Sequence, residues 1–251
     1  MRFDVITLFP ELVESLLHSG IPRRAQQMDA IELHCWNPRD YSQDKHRTVD
    51  DRPYGGGPGM LMKADCLLDS IQAIKQQTMQ QHNSVGKVIY LSPQGKRLDQ
   101  AAVAQMAHES SVTLLCGRYE GIDERVVELA VDEEWSIGDY VLSGGELGAM
   151  VLIDAISRLL PHVLGHQDSA AQDSFSEGLL DCPHYTRPAV VNHLAVPDVL
   201  TRGNHAEIAK WRKQQALGRT QQRRPDLLEK KRLSQEEQTL LAKYLEKLPK
   251  P

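Results

Sequence analysis

The sequence predicts an α/β protein in which a mostly parallel sheet carries helices on both faces and is followed by a small all-helical domain. Within the first 160 residues, short β-like apolar runs alternate with amphipathic helical patterns, an order that is typical of βαβ units. Three apolar runs end abruptly in Ser, Pro or Gly, and open α/β sheets bind ligands at the carboxyl ends of their strands. Beyond residue 176 the pattern is helical and basic, which indicates a second functional unit.

The boundaries of the predicted elements follow from the spacing of apolar residues. The predicted strands are Phe3 to Phe9, Ile31 to Trp36, Val85 to Leu91 and Val112 to Cys116. The predicted helices are Glu11 to His18, Ala64 to Gln77, Gln100 to Ala107, Ile122 to Leu129 and Leu147 to Leu160. Together they predict one α/β domain over residues 1–160.

The residues that follow this domain are predicted to form a linker and a second domain. Residues 161–176 are polar and interrupt the pattern, which predicts a flexible interdomain linker or a lid. Residues 177–251 are predicted to form a helical, basic domain. In it, Ser234 followed by Glu237 forms a capping box before the apolar positions of a final amphipathic helix.

The distribution of charge is uneven along the chain. Residues 1–200 hold 16 basic and 28 acidic residues, a net charge of −12, whereas residues 201–251 hold 13 basic and 6 acidic residues, a net charge of +7. A basic tail on an acidic body favours a polyanionic partner. The alternative is a solvated helix face, but Arg219, Arg223 and Arg224 recur near helical spacing, and this pattern favours nucleic acid.

Several classes of protein are excluded by motifs that the sequence lacks. The dinucleotide fingerprint, the phosphate loop, H-E-x-x-H and paired C-x-x-C are all missing. Charged residues interrupt the apolar stretches and the first ten residues, so we expect neither a membrane span nor a signal peptide, and a cytoplasmic location. The four cysteines are far apart in sequence, which favours reduced, buried thiols over disulfides or a zinc site.

The most informative segment is a glycine-rich loop within Glu133 to Glu146, EEWSIGDYVLSGGE. Its glycines allow the main chain to approach a small ligand closely, although two ordinary tight turns would explain them equally well. Val88 to Gln94 and Val112 to Gly121 have the same form, an apolar run that ends in Ser, Pro or Gly. Three such strand ends predict one composite pocket.

A further loop, Asp44 to Met62, has four glycines in five positions but lacks the lysine and hydroxyl of a nucleotide loop, so we interpret it as a wall of the site.

Five motifs together resemble the bacterial tRNA (guanine-N1)-methyltransferase family. They are DDRPYGGGPGM from Asp50, LSPQG from Leu91, CGRYEGIDER from Cys116, EEWSIGDYVLSGGE from Glu133 and DSFSEGLLDCPHYTRP from Asp173. The resemblance covers nearly the whole chain. It implies a knotted methyltransferase of the SPOUT class, with a C-terminal trefoil knot in the sheet domain, that works as a homodimer.

The resemblance also implies the reaction. The methyl group of S-adenosylmethionine would be transferred to N1 of the guanosine immediately 3′ of the anticodon, position 37 of tRNA, with Mg²⁺ required for full activity. Carried over by matching motif, the methyl donor would be bound by residues of the three strand ends. These are Tyr90, Leu91, Ser92, Pro93, Gly117, Tyr119, Glu120, Ile137, Gly138, Asp139, Tyr140, Val141, Leu142, Gly144 and Gly145.

The same resemblance implies two catalytic residues, Asp173 as general base and Arg158 near guanine O6. Guanine N1 carries a proton that must leave, and negative charge then builds on O6, so an aspartate and a guanidinium suit the chemistry. Each has a structural alternative. Asp173 precedes a predicted helix start and is interpreted equally as an N-cap, while Arg158 near a helix end would stabilise the helix dipole.

One departure from the family pattern is Gly148, which stands where GGEL is usually followed by Pro. Glycine loosens the first turn of a helix, so we expect weaker donor binding.

Two other functions are compatible with parts of the sequence. One is a non-catalytic RNA-binding protein that uses the pocket for sensing, and the other is a knotted methyltransferase that acts on a ribose 2′-OH or another base.

Overall fold

The chain forms two compact units, Met1–His166 and Gln167–Pro251. The computed structural model describes residues 1–165 and 172–247, and the side chain of His82 is not described. Part of the predicted linker, residues 166–171, therefore lies outside the described residues. The two units are considered separately below.

The first unit is built on a five-stranded sheet in which every pairing is parallel. The strand order is β2-β1-β6-β5-β7, so the prediction of a mostly parallel sheet is confirmed. A two-stranded antiparallel hairpin, β3 and β4, lies outside it. The strands are β1 Arg2–Ile6, β2 Glu32–Trp36, β3 Asp50–Asp51, β4 Leu61–Met62, β5 Lys87–Arg97, β6 Ser111–Cys116 and β7 Glu133–Ser136.

Six α-helices accompany these strands in the described part of the first unit. They are α1 Pro10–Glu14, α2 Gly20–Gln27, α3 Ala64–His82, α4 Gln100–Met106, α5 Glu124–Ala130 and α6 Glu146–Ser157. Among the described residues, none of the helices combines the length and apolarity needed to cross a bilayer.

The core lies on both faces of the sheet, because successive side chains of a strand point to opposite sides. Val5 and Leu114 belong to one buried cluster, which also contains residues of α1, α2, α4 and α6. Ile6 and Leu115, the next residues along the same strands, belong to a second cluster with residues of α3 and α5. This alternation places helices on both faces, as the sequence predicts.

A buried ion pair interrupts the apolar sheet at β1. The Arg2 guanidinium donates to the Asp4 carboxylate at 2.7 and 2.8 Å, and both side chains are buried. The indole N–H of Trp36 donates to the same carboxylate at 2.8 Å, and Arg2 also donates to Gln81 of α3. Because each charge has several partners, the pair is tolerated in the interior, where an isolated charge would be costly.

The observed strands and helices differ from the predicted ones in two instructive places. Helix α2 was not predicted, because Gly20 and Pro22 are usually turn residues, yet proline fits the first turn of a helix. Strand β5 continues to Arg97 rather than ending at Leu91. Its register shifts so that both Leu91 and Lys96 pair with Trp135 of β7, and the residues between them bulge out of the sheet.

The second unit contains three α-helices in its described part: α7 His205–Arg223, α8 Pro225–Glu229 and α9 Gln235–Leu245. It is not wholly helical, so that part of the prediction is wrong. Strands β8 Val190–Val191 and β9 Leu194–Ala195 form an antiparallel hairpin. Asn192 and His193 connect them with φ of 47° and 65°. Two residues at positive φ make the tight hairpin connection, and Asn tolerates this conformation better than most residues.

The core of the second unit is a small cluster around Leu179, Leu217 and Leu240. The predicted capping box is confirmed, since Ser234 Oγ accepts from the Glu237 N–H at 3.2 Å and Glu237 Oε2 accepts from the Ser234 N–H at 2.9 Å.

A buried threonine joins α7 to the segment that contains Leu179. Thr220 is fully buried. Its hydroxyl accepts from the Leu180 N–H at 2.9 Å and donates to the Ala216 carbonyl at 2.7 Å. The hydroxyl therefore satisfies a backbone donor that would otherwise be left in the interior.

We predict that Thr220→Val lowers the free energy of unfolding by about 1–3 kcal/mol, because valine leaves the Leu180 N–H without an acceptor. Thr239→Val is the matched control, since the Thr239 hydroxyl donates to the Gln235 carbonyl one turn earlier but is exposed and accepts no such bond. The control is expected to change stability by less than about 0.5 kcal/mol. Denaturant unfolding measures both, and equal losses would contradict the assigned role of Thr220.

Candidate functional site

A cavity of about 220 Å³ lies beside the bulge of β5 and the carboxyl ends of β6 and β7. Parallel strands bring their carboxyl ends to one edge of the sheet, which is why three segments distant in sequence meet here. All of the predicted donor-binding residues line the cavity except Asp139. The cavity is also lined by Gly148 and by residues that the sequence analysis did not single out: Gln94, Arg118, Gly121, Trp135, Ser136 and Ser143.

A buried carboxylate at the start of α6 links the elements around the cavity. Glu146 is 1% exposed. Its Oε1 accepts from the Thr7 hydroxyl at 2.9 Å and its Oε2 accepts from Arg118 Nε at 2.9 Å. Thr7 follows β1 and Arg118 follows β6, so one side chain holds two strand ends against the start of a helix.

Arg118 in turn holds the glycine-rich loop. Its guanidinium donates to the Ser143 carbonyl at 3.2 Å and lies 4.4 Å from the ring centroid of Phe9. The backbone adds a hydrogen bond from the Gly145 N–H to the Gly117 carbonyl at 3.0 Å. The loops that follow β6 and β7 are therefore tied together by both side-chain and main-chain contacts.

Two glycines in these loops are required by close approach. An added Cβ at Gly145 would lie 2.8 Å from the Cα of Cys116, which is backbone and cannot move aside. An added Cβ at Gly117 would lie 2.8 Å from the Tyr90 hydroxyl oxygen. The two glycines therefore let the loops after β6 and β7 pack closely against each other and against Tyr90, which places their main chain at the edge of the cavity.

Tyr90 contributes a hydroxyl to this edge of the cavity. Burial, with the carboxylate of Glu134 as a second cause, raises the pKa of Tyr90 to about 12. The hydroxyl therefore stays protonated at neutral pH and remains able to donate a hydrogen bond.

The sequence signal for Arg118 and Glu146 was present but weak. Both residues belong to glycine-containing motifs, CGRYEG and SGGE. A charged side chain in such a motif does not by itself indicate a structural role. Nothing in the spacing indicates that the two side chains pair, because they are separated by 28 positions and meet only through the fold.

Gly148 lies in the first turn of α6 and lines the cavity. An added Cβ there would lie 3.0 Å from Cδ1 of Leu91, the far end of a flexible side chain. The expectation of weaker donor binding caused by Gly148 stays a prediction.

Asp173 lies in the second unit, where it lines a groove of about 370 Å³. The residues after it form turns, with the Ser176 N–H donating to the Asp173 carbonyl at 3.3 Å. No helix begins at Asp173 in this described segment, so the N-cap interpretation is wrong. The groove is also lined by Glu177, Asp181, His184 and Arg212.

Arg158 lies in the first unit, directly after α6. Its N–H donates to the Asp154 carbonyl at 3.2 Å, which closes the last turn of the helix. This position allows it to stabilise the helix dipole, and that role does not exclude a role toward substrate.

A cluster of three potential metal ligands lies in the Asp173 groove. The ligand atoms of Asp181, Cys182 and His184 lie within 4.8 Å of one another. His184 Nε2 is 2.8 Å from Asp181 Oδ2. Although burial opposes the shift, hydrogen bonds from His184 and from the Cys182 N–H lower the pKa of Asp181.

The cations of α7 fall into two groups. Lys213 pairs with Glu177 at 2.8 Å and with Glu237 at 3.3 Å. Within the described part of the chain, Arg212, Arg219 and Arg223 form no ion pair. They are spaced i, i+7 and i+11 and therefore lie along one face of the helix. This face is available to a polyanion.

The comparison with known proteins places this architecture in a family. The family model described as tRNA (Guanine-1)-methyltransferase TrmD matches residues 1–230. The chain belongs to this family. The match covers the whole sheet unit and most of the second unit, so the predicted resemblance is confirmed. Membership of a methyltransferase family implies S-adenosylmethionine as the methyl donor.

Curated relatives agree with the family match over nearly the full chain. A tRNA (guanine-N(1)-)-methyltransferase of Pseudomonas syringae pv. tomato is 60% identical over 245 residues, covering 98% of this chain and 96% of the relative. The Pseudomonas putida and Pseudomonas fluorescens proteins of the same name are 60% and 59% identical, with the same coverage.

We predict that Gly145→Ala weakens S-adenosylmethionine binding by about tenfold or more, because the new methyl group displaces the Cys116 backbone at a cost of about 1–3 kcal/mol. Isothermal titration measures the dissociation constant. Gly165→Ala is the control, since its Cβ would meet no atom within 4 Å. Unchanged affinity in a folded Gly145→Ala protein would contradict the close approach described here.

Proposed function

We propose that this chain transfers the methyl group of S-adenosylmethionine to N1 of the guanosine immediately 3′ of the anticodon, position 37 of tRNA. The observation that supports the proposal is the cavity beside the adjacent parallel strands β6, β5 and β7, which is lined by nearly all of the residues that the resemblance assigns to the methyl donor. Membership of the tRNA (guanine-1)-methyltransferase family supports the reaction class, and the unpaired cations of α7 support an RNA substrate.

The donor is proposed to lie in the cavity of the first unit. Tyr90 to Pro93 lie within β5, where its bulge begins, while Gly117 to Glu120 follow β6 and Ile137 to Gly145 follow β7. The proposal keeps Asp139 in this set, although it does not line the cavity. The glycine cradle fits a ligand that is recognised by backbone N–H and C=O groups.

Asp173 is proposed as the general base for the guanine. In the reaction a bond forms between guanine N1 and the methyl carbon, and the bond between that carbon and sulfur breaks, with its electron pair remaining on sulfur. The N1 proton passes to the Asp173 carboxylate as N1 becomes positive. An aspartate is a weak base for so weak an acid, so proton loss accompanies methyl transfer rather than preceding it.

Arg158 is proposed to stabilise the charge that develops on guanine O6. Loss of the N1 proton shifts electron density to O6, and a guanidinium is a strong hydrogen-bond donor to such an oxygen. Arg158 belongs to the first unit and Asp173 to the second.

The second unit is proposed to bind the tRNA backbone. The unpaired arginines along α7 offer guanidinium groups suited to phosphate. Lys213, by contrast, is already neutralised by Glu177 and Glu237. The proposed contacts are electrostatic and therefore depend on salt concentration.

A second copy of the chain is proposed as a partner. Leu147 and Val151 are each 48% exposed and lie one turn apart on α6, and Val141 is 86% exposed. Exposed apolar residues on one helix face are typical of an interaction surface. A homodimer that covers this face is consistent with the resemblance described above.

Two further expectations rest on the resemblance, a C-terminal trefoil knot in the sheet unit and a requirement for Mg²⁺. The expected cytoplasmic location rests instead on the charged residues that interrupt the apolar stretches and the first ten residues. The cluster of Asp181, Cys182 and His184 does not fit Mg²⁺, because that ion prefers oxygen ligands and the cluster offers a single carboxylate beside a thiol and an imidazole. No step proposed here depends on the metal.

We predict that Asp173→Asn lowers the rate of methyl transfer by at least about 10²-fold while S-adenosylmethionine and tRNA binding are retained, because the amide cannot accept the N1 proton. Single-turnover transfer from labelled donor measures the rate. The matched control is Asp226→Asn, which removes an exposed carboxylate paired with Arg224 and is expected to leave the rate within about twofold of wild type. Near-normal turnover of Asp173→Asn would remove Asp173 from the mechanism.

We predict that Arg223→Gln reduces the slope of log affinity for tRNA against log salt by about 1, because one phosphate contact is lost. Arg224→Gln is the neighbouring control. Arg224 is already paired with Asp226 at 2.7 Å, so its loss is expected to change the slope less. Filter binding at several salt concentrations measures both, and an identical slope for Arg223→Gln and wild type would exclude this phosphate contact.

A further inference from the structure

The second unit contains another groove beside the one that holds Asp173. Its volume is about 670 Å³, and Pro183, Tyr185, Arg187, Val196 and Arg212 are among its lining residues. We call it the Tyr185 groove. Its volume lies within the range of sites that hold small organic groups, and the reaction proposed above does not use it.

The aromatic ring of Tyr185 lines this groove and contacts Trp211. Tyr185 is 50% exposed. Its ring centroid lies 6.4 Å from that of Trp211 on α7, with an interplanar angle of 52°. This tilted contact is a favourable aromatic geometry and restricts the tyrosine ring. Half of the Tyr185 surface is left available to a flat partner.

The charge of the Tyr185 groove is positive. Arg187 and Arg212 line it together with His184, and none of its lining residues is acidic. Neither arginine forms an ion pair within the described residues. The neighbouring groove differs, because Asp173, Glu177 and Asp181 line it. The Tyr185 groove therefore fits an anionic group that also carries a planar, apolar surface.

The two grooves adjoin each other. His184 and Arg212 line both of them. A strand of nucleic acid that places one base beside Asp173 would pass its backbone near Arg212, and the next base along the strand would reach the Tyr185 groove. The acidic group of Asp173, the cation of Arg212 and the ring of Tyr185 would thus be met in that order. This order matches the sequence of base, phosphate and base along a single strand.

We propose that the Tyr185 groove holds an unstacked nucleobase adjacent to the target guanosine of the tRNA. The base stacks on Tyr185, and the phosphate between the two nucleotides lies against Arg212, with Arg187 as a second cation. Stacking on an aromatic side chain accepts any base, so the groove positions the RNA without reading its sequence. This inference rests on the function proposed above.

The test uses the full-length chain and tRNA transcripts in which one of the two nucleotides flanking the target guanosine is abasic. Tyr185→Ala is expected to weaken tRNA binding by about 5- to 150-fold, the effect typical of losing one stacked base. Tyr185→Phe keeps the ring and is expected to bind within about twofold of wild type. S-adenosylmethionine affinity, which depends on the first unit, is expected to be unchanged in both variants.

The abasic transcripts separate stacking from a loss of folding. With wild-type protein, removing the stacked base is expected to weaken tRNA binding by a similar factor. Removing the base on the other side of the target guanosine is expected to weaken binding less. With Tyr185→Ala, the first abasic transcript is expected to bind no more weakly than the intact one, because the partner ring is gone.

Two failures are distinguishable. If the protein methylates guanosine N1 but Tyr185→Ala binds every transcript as wild type does, the groove holds no base and only this inference is overturned. If both abasic transcripts bind like the intact one to wild-type protein, the inference is again overturned. If no transcript is methylated at all, the proposed function itself fails.

Discussion

The arrangement of the site depends on the buried carboxylate of Glu146. A carboxylate in the interior is tolerated only when its oxygens are occupied by donors, and here Thr7 and Arg118 supply them at 2.9 Å each. Since these partners follow β1 and β6, the requirement fixes the carboxyl edge of the sheet against the start of α6. Arg118 then extends the constraint to the glycine-rich loop through the Ser143 carbonyl. The cavity is the space that these contacts leave open.

The two units contribute different kinds of surface. In the first, the cavity is lined by residues of β5 and of the loops that follow β6 and β7, whose glycines allow those loops to pack closely. In the second, adjoining grooves differ in charge: one contains the Asp173 carboxylate, while the other contains Arg187 beside an exposed ring. A small cavity without an excess of charge suits a small methyl donor. An acidic groove with cations beside it suits a nucleotide, whose phosphates are anionic.

Much of the fold could be predicted because it depends on local patterns. Alternating apolar runs indicated the parallel sheet, and three apolar runs that end in Ser, Pro or Gly indicated the pocket. The missed features depend on tertiary contacts or on ambiguous residues. The bulge in β5 exists because Leu91 and Lys96 both pair with Trp135, which no local pattern reveals. The hairpin at Asn192 was missed because each of its strands has only two residues, and the Glu146 contacts join residues that are distant in sequence.

The central claim is that methyl transfer occurs at guanine N1 next to the anticodon. The most direct measurement is transfer from labelled S-adenosylmethionine, in the presence of Mg²⁺, to tRNA transcripts that carry either G or A immediately 3′ of the anticodon, followed by nucleoside mass analysis. The account predicts N1-methylguanosine from the G transcript and no product from the A transcript. Methylated ribose, methylation of the A transcript, or tRNA binding without any methylation would contradict it.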